Sequence, residues 1–308
     1  MAYTIYRWDD PGAPAPLNGQ SNANTLINVL DACLVTGYGA KAPAGWSKPF
    51  TAANQAAFRQ GAGSNGFYLH LDASPLWHDK VRGYESMTAI DAGTNPFPTV
   101  AQRSELMAPR SNSSDASGRA WLVAADARRF FLWMNYQGTL AQGLASTTYQ
   151  PAFFFGDLES PNTGDAFNTL ISGGISNLNS TYLGYAQNNA SNAEYMARNF
   201  AGAVGSVAVM KGTHIPYQST SQIGAVANAP AFPDPVTGSL LLSPIEVFDT
   251  SGCVSRGVLP GIWAPGHNLP GSPGDVLTGV NGPLAGKRLM LLDVAAASSR
   301  ARIALEIP

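Results

Sequence analysis

The stretch Ser117–Gly138, SGRAWLVAADARRFFLWMNYQG, consists of two apolar runs with a short polar connection between them. The runs are Ala120–Ala125 and Phe130–Tyr136, and the residues DARR join them. Two runs rich in aromatic and aliphatic residues, separated by a few polar ones, are typical of a β-hairpin. We therefore predict a hairpin whose strands carry Trp121 and Trp133.

Similar strand patterns recur along the rest of the chain. In GFYLHLDAS, which begins at Gly66, the apolar residues Phe67, Leu69 and Leu71 alternate with less apolar ones, as in a half-buried strand. Further strand-like segments are PAFFFGD at 151–157, SLLLSPIEVFD at 239–249, KRLMLLDV at 287–294 and RIALEI at 302–307. The sequence thus predicts a mainly β fold of antiparallel, sandwich-like sheets with long Gly/Pro-rich loops, although a barrel also fits the pattern.

One short N-terminal helix is predicted at residues 24–36. Its apolar residues recur at helical spacing, Asn22 or Asn24 is expected to cap its start, and Gly37 to end it. The following segment, GYGAKAPAGWSKPF at 37–50, contains three glycines, two prolines and three large aromatic residues. We interpret it as a rigid loop.

The chain is long enough for one large domain or two medium ones, and we place a boundary between 1–145 and 146–308. The residues from 162 to 230 are rich in Asn, Ser, Gly and Ala. For them we expect long loops, short helical pieces or an extended arm, with the arm at about 187–231. We also predict a Pro/Gly-rich loop for VLPGIWAPGHNLPGSPGD at 258–275.

Composition disfavours several classes of function. Charged residues make up only 12% of the 308 residues, and the net charge is −2, so nucleic-acid binding is not expected. No window reaches the roughly 18 apolar residues of a membrane span. The N-terminus lacks the features of a signal peptide, and the two distant cysteines suggest free thiols, so we expect synthesis in a cytoplasm.

The first candidate for binding chemistry is the segment HLDASPLWHDK. His70 and Asp72 share a face of a predicted strand, and together with His78 they could contact a metal or a glycan. The spacing matches no established zinc pattern, however, and Pro75 and Trp77 suggest a packed turn. We therefore interpret the histidines as surface or core residues and predict no metal and no cofactor.

The second candidate is the acidic pair Asp157 and Glu159 in FFFGDLESP. A strand would place both carboxylates on one face, which suits glycoside hydrolysis or a calcium site. Acidic residues that end a strand and open a turn are nonetheless very common. Because the sequence also lacks the G-x-S-x-G, H-E-x-x-H and P-loop motifs, we predict that the protein is not an enzyme.

Tryptophans in Pro/Gly-rich segments form the third set of candidates. Trp46, Trp77 and Trp263 have this setting, in which an exposed ring could stack on a sugar. Such rings more often pack against the protein and fix their own loop, or anchor a contact with another protein.

The order of several short motifs resembles a family of virion structural proteins from tailed bacteriophages, especially Mu-like transposable phages with long tails. The motifs are VLDACLVTGYGAKAPAGWSKPF, FYLHLD, RGYESMTAIDAGTNPFPT, RAWLVAADARRFFLWM, FFFGDLESPNTGDAFNTLISGG and RGVLPGIWAPGHNLP. They span most of the chain and are sparse between about residues 187 and 231.

The resemblance implies a structural component of a tail tip or baseplate, located in the virion and assembled in the host cytoplasm. Its expected partners are other tail proteins and further copies of itself, in a trimer or hexamer. Tyr38, Trp46, Phe50 and Trp263 are then the predicted interface residues. Two alternatives stay open: a receptor-binding or fibre-like protein that contacts host surface glycan, and a tail-associated glycan hydrolase.

Overall fold

The computed structural model describes residues 3–20, 25–103, 106–145, 150–174, 192–212, 238, 240–266, 271–278, 282–294 and 302–308. Within these residues, eighteen strands join in one hydrogen-bonded network, in which neighbouring strands run antiparallel. The predicted mainly β class is therefore confirmed. None of the described helices is long and apolar enough to cross a membrane.

The strands are numbered in chain order. They are β1 (Thr4–Arg7), β2 (Ser47–Ala52), β3 (Gln55–Arg59), β4 (Tyr68–Asp72), β5 (His78–Ala89), β6 (Ala92–Phe97), β7 (Leu106–Pro109), β8 (Trp121–Ala125), β9 (Arg129–Met134), β10 (Ala152–Asp157), β11 (Thr169–Gly174), β12 (Asn192–Arg198), β13 (Val204–Gly212), β14 (Leu242–Asp249), β15 (Val254–Pro265), β16 (Val276–Leu277), β17 (Arg288–Asp293) and β18 (Arg302–Ile307). The described residues also include two 3-10 segments, Leu140–Ala145 and Gly282–Leu284.

The predicted hairpin is confirmed as β8–β9, with Trp121 opposite Met134 and Ala125 opposite Phe130. From β8 the pairing extends to β1 on one side, and from β9 through β10, β11 and β12 on the other. It continues through β13, β14, β15 and β18 to β17 and β16. The strands β2–β7 form a second region, joined to β11 where Met107 of β7 pairs with Gly174.

Strands β8, β9 and β10 are buried along their whole length because a hydrophobic core lies on each of their faces. Successive side chains of a strand point to opposite faces. One core combines alternate residues of these strands with β13–β15, β17 and β18, among them Leu122, Phe131, Trp133 and Phe154. The other combines the remaining ones with the helix and β3–β7, among them Trp121, Val123, Phe130, Leu132, Phe153 and Phe155. The protein therefore has three layers, with these aromatic strands in the middle.

The N-terminal helix begins later than predicted and changes geometry along its length. It comprises α1 (Leu26–Leu30), followed by a π-helical segment at Asp31–Thr36. Gly37 ends it with a φ of 76°, as predicted, because this conformation suits glycine. The predicted caps at positions 22 and 24 lie outside the described residues. In their place, the carboxylate of Asp79 accepts a hydrogen bond from the backbone N–H of Leu26 at 3.1 Å.

The prediction of loops or an arm between residues 162 and 230 is wrong for three segments, which form β11, β12 and β13. In β11, small residues lie where the paired strand β7 approaches closely. A Cβ on Gly173, for example, would lie 3.1 Å from the carbonyl oxygen of Met107. Residues 175–191 and 213–237, which include most of the predicted arm, lie outside the described part of the chain.

The predicted Pro/Gly-rich loop at 258–275 is also wrong in its first half, which belongs to β15. Proline lacks the N–H that a strand ladder needs, so a proline within a strand requires a local irregularity. The register of β14 and β15 supplies one, since Pro244 pairs with Trp263 but Glu246 pairs with Val258. Pro260 lies within this bulge, where its carbonyl oxygen accepts a hydrogen bond from the Tyr3 hydroxyl at 2.7 Å.

The two segments on either side of the predicted boundary at residue 145 share one hydrophobic core. Strand β9 pairs with β10 across that boundary, and Phe131 faces Phe154. The core on this side of the middle layer contains residues from Tyr3 to Ile307. Both segments therefore contribute to the same packed interior.

Candidate functional site

Asp157, the first residue of the predicted acidic pair, is fully buried at the end of β10. Its Oδ1 accepts hydrogen bonds from Gln60 Nε2 at 2.8 Å and from the Thr169 hydroxyl at 2.7 Å. Its Oδ2 accepts one from the backbone N–H of Asn65 at 3.0 Å and lies 3.5 Å from Nε of Arg128. This carboxylate therefore joins β10 to three other parts of the chain: the segment of Gln60 and Asn65, the β8–β9 turn and β11.

Glu159 does not share the environment of Asp157. The strand ends at Asp157, the next residue Leu158 is buried, and Glu159 is exposed. The backbone of Glu159 is fixed by reciprocal hydrogen bonds with Val258, at 3.1 and 3.0 Å. The expectation that a strand would place both carboxylates side by side is therefore wrong, because the strand ends before Glu159.

His70 lies on β4 with only 7% of its surface exposed. Its Nε2 is 3.1 Å from Oε1 of Gln55, and its Nδ1 is 3.5 Å from a carboxylate oxygen of Asp91. Burial lowers the pKa of His70 below its ordinary value of 6.5, while the Asp91 carboxylate opposes that shift. The ring is therefore held between two oxygen atoms of the protein itself.

Of the other two members of this candidate site, Asp72 lies two residues after His70 on β4, and His78 lies on β5. Asp72 accepts a hydrogen bond from the backbone N–H of Ser74 at 2.9 Å, which shapes the turn after β4. His78 begins β5 and pairs with Pro109 of β7, whereas His70 pairs with Arg82. Among the described residues, no three His, Cys, Asp or Glu side chains come together in a way that could hold a metal ion.

Trp46 is buried rather than presented to a partner, which corrects the prediction for this residue. Only 5% of its surface is exposed, and its indole N–H donates to the backbone carbonyl of Asp126 at 2.8 Å. Its ring contacts Phe130 and Phe155, with centroid distances of 5.7 and 6.0 Å. The ring fills the core beside the middle layer and fixes its own loop there.

Tyr38 is half-buried and ties the same loop to the end of β1. Its hydroxyl donates to Oδ2 of Asp10 at 2.8 Å and accepts a hydrogen bond from the backbone N–H of Arg7 at 3.2 Å. Burial, together with the hydrogen bond to Asp10, raises the pKa of Tyr38 well above its ordinary value. Tyr38 is therefore engaged in contacts within the protein.

Phe50 and Trp263 are half-buried on two different outer layers. Phe50 stacks on Tyr68 with a centroid distance of 6.3 Å, next to a small apolar cluster that includes Tyr84 and Met87. Trp263 packs against the C-terminal cluster built around Leu291. The structure therefore does not gather the four predicted interface aromatics into one surface.

The loop between β4 and β5 does present a large apolar surface. Leu76 is 45% exposed and Trp77 is 42% exposed, and the two are consecutive. Trp77 has a φ of 57°, a conformation that is unfavourable for a bulky residue. This corrects our expectation of a packed turn, and a Ser-Pro-Leu-Trp run between two polar strand ends is the sequence feature that could have indicated it.

A fully buried arginine holds this loop in place. Nη1 of Arg110 lies 2.9 Å from Oδ1 of Asp79 and 3.5 Å from the carbonyl oxygen of Ala73, and its Nη2 donates to the carbonyl of Pro75 at 2.6 Å. The backbone N–H of the next residue, Ser111, donates to the carbonyl of Trp77 at 2.9 Å. These contacts fix the backbone on both sides of the exposed pair.

The Asp79 carboxylate connects the loop to the N-terminal helix as well. One oxygen faces Arg110, and the other accepts the hydrogen bond from Leu26. Burial raises the pKa of Asp79 to about 6, while the charge of Arg110 and the Leu26 N–H both act to lower it. A hydrogen-bonded loop that exposes two apolar side chains is suited to binding rather than to acid–base chemistry.

Comparison of the chain with models of known protein families gives no match, and comparison with curated protein sequences gives no relative.

Proposed function

We propose that this protein is a structural component of a bacteriophage tail tip or baseplate, where several copies assemble with other tail proteins. The order of short motifs quoted above supports this proposal, and so does the low content of charged residues. Charged residues are depleted at the centres of protein interfaces.

The exposed Leu76–Trp77 pair is the observation that carries the proposal. Tryptophan is enriched among the residues that dominate interface energies, so an exposed tryptophan beside an exposed leucine favours a contact with another molecule. The loop is already ordered by Arg110 and Asp79, so little further conformational entropy is lost when it docks. Such a loop suits an interface that forms once and persists.

A cryo-EM reconstruction of purified virions of the phage that encodes the chain tests this proposal. We expect density for the chain at the tail end, in a symmetric ring that contacts other tail proteins. Absence of the chain from purified particles, judged by mass spectrometry of the same preparation, would refute the structural role.

A receptor-binding protein that contacts host surface glycan is the second candidate, because an exposed ring such as that of Trp77 can stack on a sugar. Here we expect the purified chain to bind host cells, and density in projecting arms rather than in a ring. Undetectable binding at high protein concentration would remove this candidate.

A further inference from the structure

We draw no further inference here: the strongest candidate, the exposed aromatic side chains of Trp77 in the β4–β5 loop and Phe200 in the β12–β13 turn, carries none because nothing in the structure shows what covers either surface.

Discussion

Trp133 of β9 donates its indole N–H to the backbone carbonyl of Asp293 at the end of β17, over 2.8 Å. Both groups are buried, and 160 positions of sequence separate them. The hydrogen bond therefore ties the middle layer to the C-terminal layer across the boundary predicted at residue 145.

Trp133→Phe should lower the free energy of unfolding by about 1–3 kcal/mol, because it leaves the buried Asp293 carbonyl without its hydrogen-bond donor. Chemical denaturation followed by circular dichroism and by tryptophan fluorescence measures this loss. Since the two segments share a core, both probes should report one transition. Two separate transitions in the wild-type protein would contradict the shared core.

Arg110→Met should destabilise the protein by about 3–5 kcal/mol at neutral pH, because it leaves the Asp79 carboxylate buried without its counter-charge. The loss should be smaller near pH 4. The folded pKa of Asp79, about 6, exceeds its ordinary value of 3.8, so its contribution to stability is fully present below about 4 and is lost as pH rises through about 6. Removing Arg110 raises that pKa further, since the arginine charge lowers it.

Denaturation of wild type and Arg110→Met at pH 4 and pH 7 measures this difference. A cost that is equal at the two pH values would show that the carboxylate is not the group responsible. Asp79→Asn provides the control. In that background the cost of Arg110→Met should be the same at pH 4 and pH 7, because the titrating carboxylate is absent.

The pKa of His70 should lie below 6.5 and should respond in opposite directions to the loss of an acidic or a basic neighbour. Asp91→Asn should lower it, because the Asp91 carboxylate raises it, and Arg82→Met should raise it, because the Arg82 charge lowers it. Nuclear magnetic resonance titration of the ring measures each value. Shifts of the same sign in both variants would contradict this arrangement of charges.

His70 also makes stability depend on pH. Its folded pKa is depressed, so its contribution is present above about 6.5 and is lost as pH falls towards the folded value. The stability of His70→Gln should not show this decrease at low pH. If the decrease persists in the variant, other groups are responsible for it.

Asp157→Asn should lower the free energy of unfolding by at least about 1.5–3 kcal/mol, because an amide cannot accept all the hydrogen bonds that the carboxylate receives. Glu159→Gln, at an exposed position, should change it by less than about 0.5 kcal/mol. Denaturation of both variants measures these values. The hydrolase alternative predicts a different outcome, namely a stable Asp157→Asn protein that has lost glycan cleavage.

Trp77→Gly should be about 1 kcal/mol more stable than Trp77→Ala, because glycine adopts a φ of 57° without the steric cost that a Cβ imposes. Both variants lose the ring, so thermal unfolding of the pair isolates the backbone term. Equal stability would indicate that the loop relaxes once the ring is removed, and that Arg110 does not enforce its conformation.

The sequence predicts the β8–β9 hairpin well because its information is local: two apolar runs and a four-residue connection. Strands such as β11 and β15 could not be predicted in this way. Glycine and proline are disfavoured in strands, so Gly173 and Pro260 argue locally against β11 and β15. Gly173 lies in a strand because Met107 approaches it closely, and Pro260 because a bulge between β14 and β15 accommodates it.

The burial of aromatic residues in loops could not be predicted from the local sequence either. Trp46 and Trp77 have similar local sequences, each with a proline nearby, yet one is buried and the other is exposed. Burial of Trp46 is decided by Phe130 and Phe155, which are more than 80 positions away. Exposure of Trp77 is decided by Arg110, whose side chain occupies the interior beneath the loop.

The middle layer also has a consequence for how slowly the protein opens. Amide hydrogens of β8, β9 and β10 are screened from solvent on both faces, so deuterium reaches them only when an outer layer detaches. Their exchange should therefore be among the slowest in the chain and should share a single rate. The rate of that opening then sets the lifetime of the folded chain.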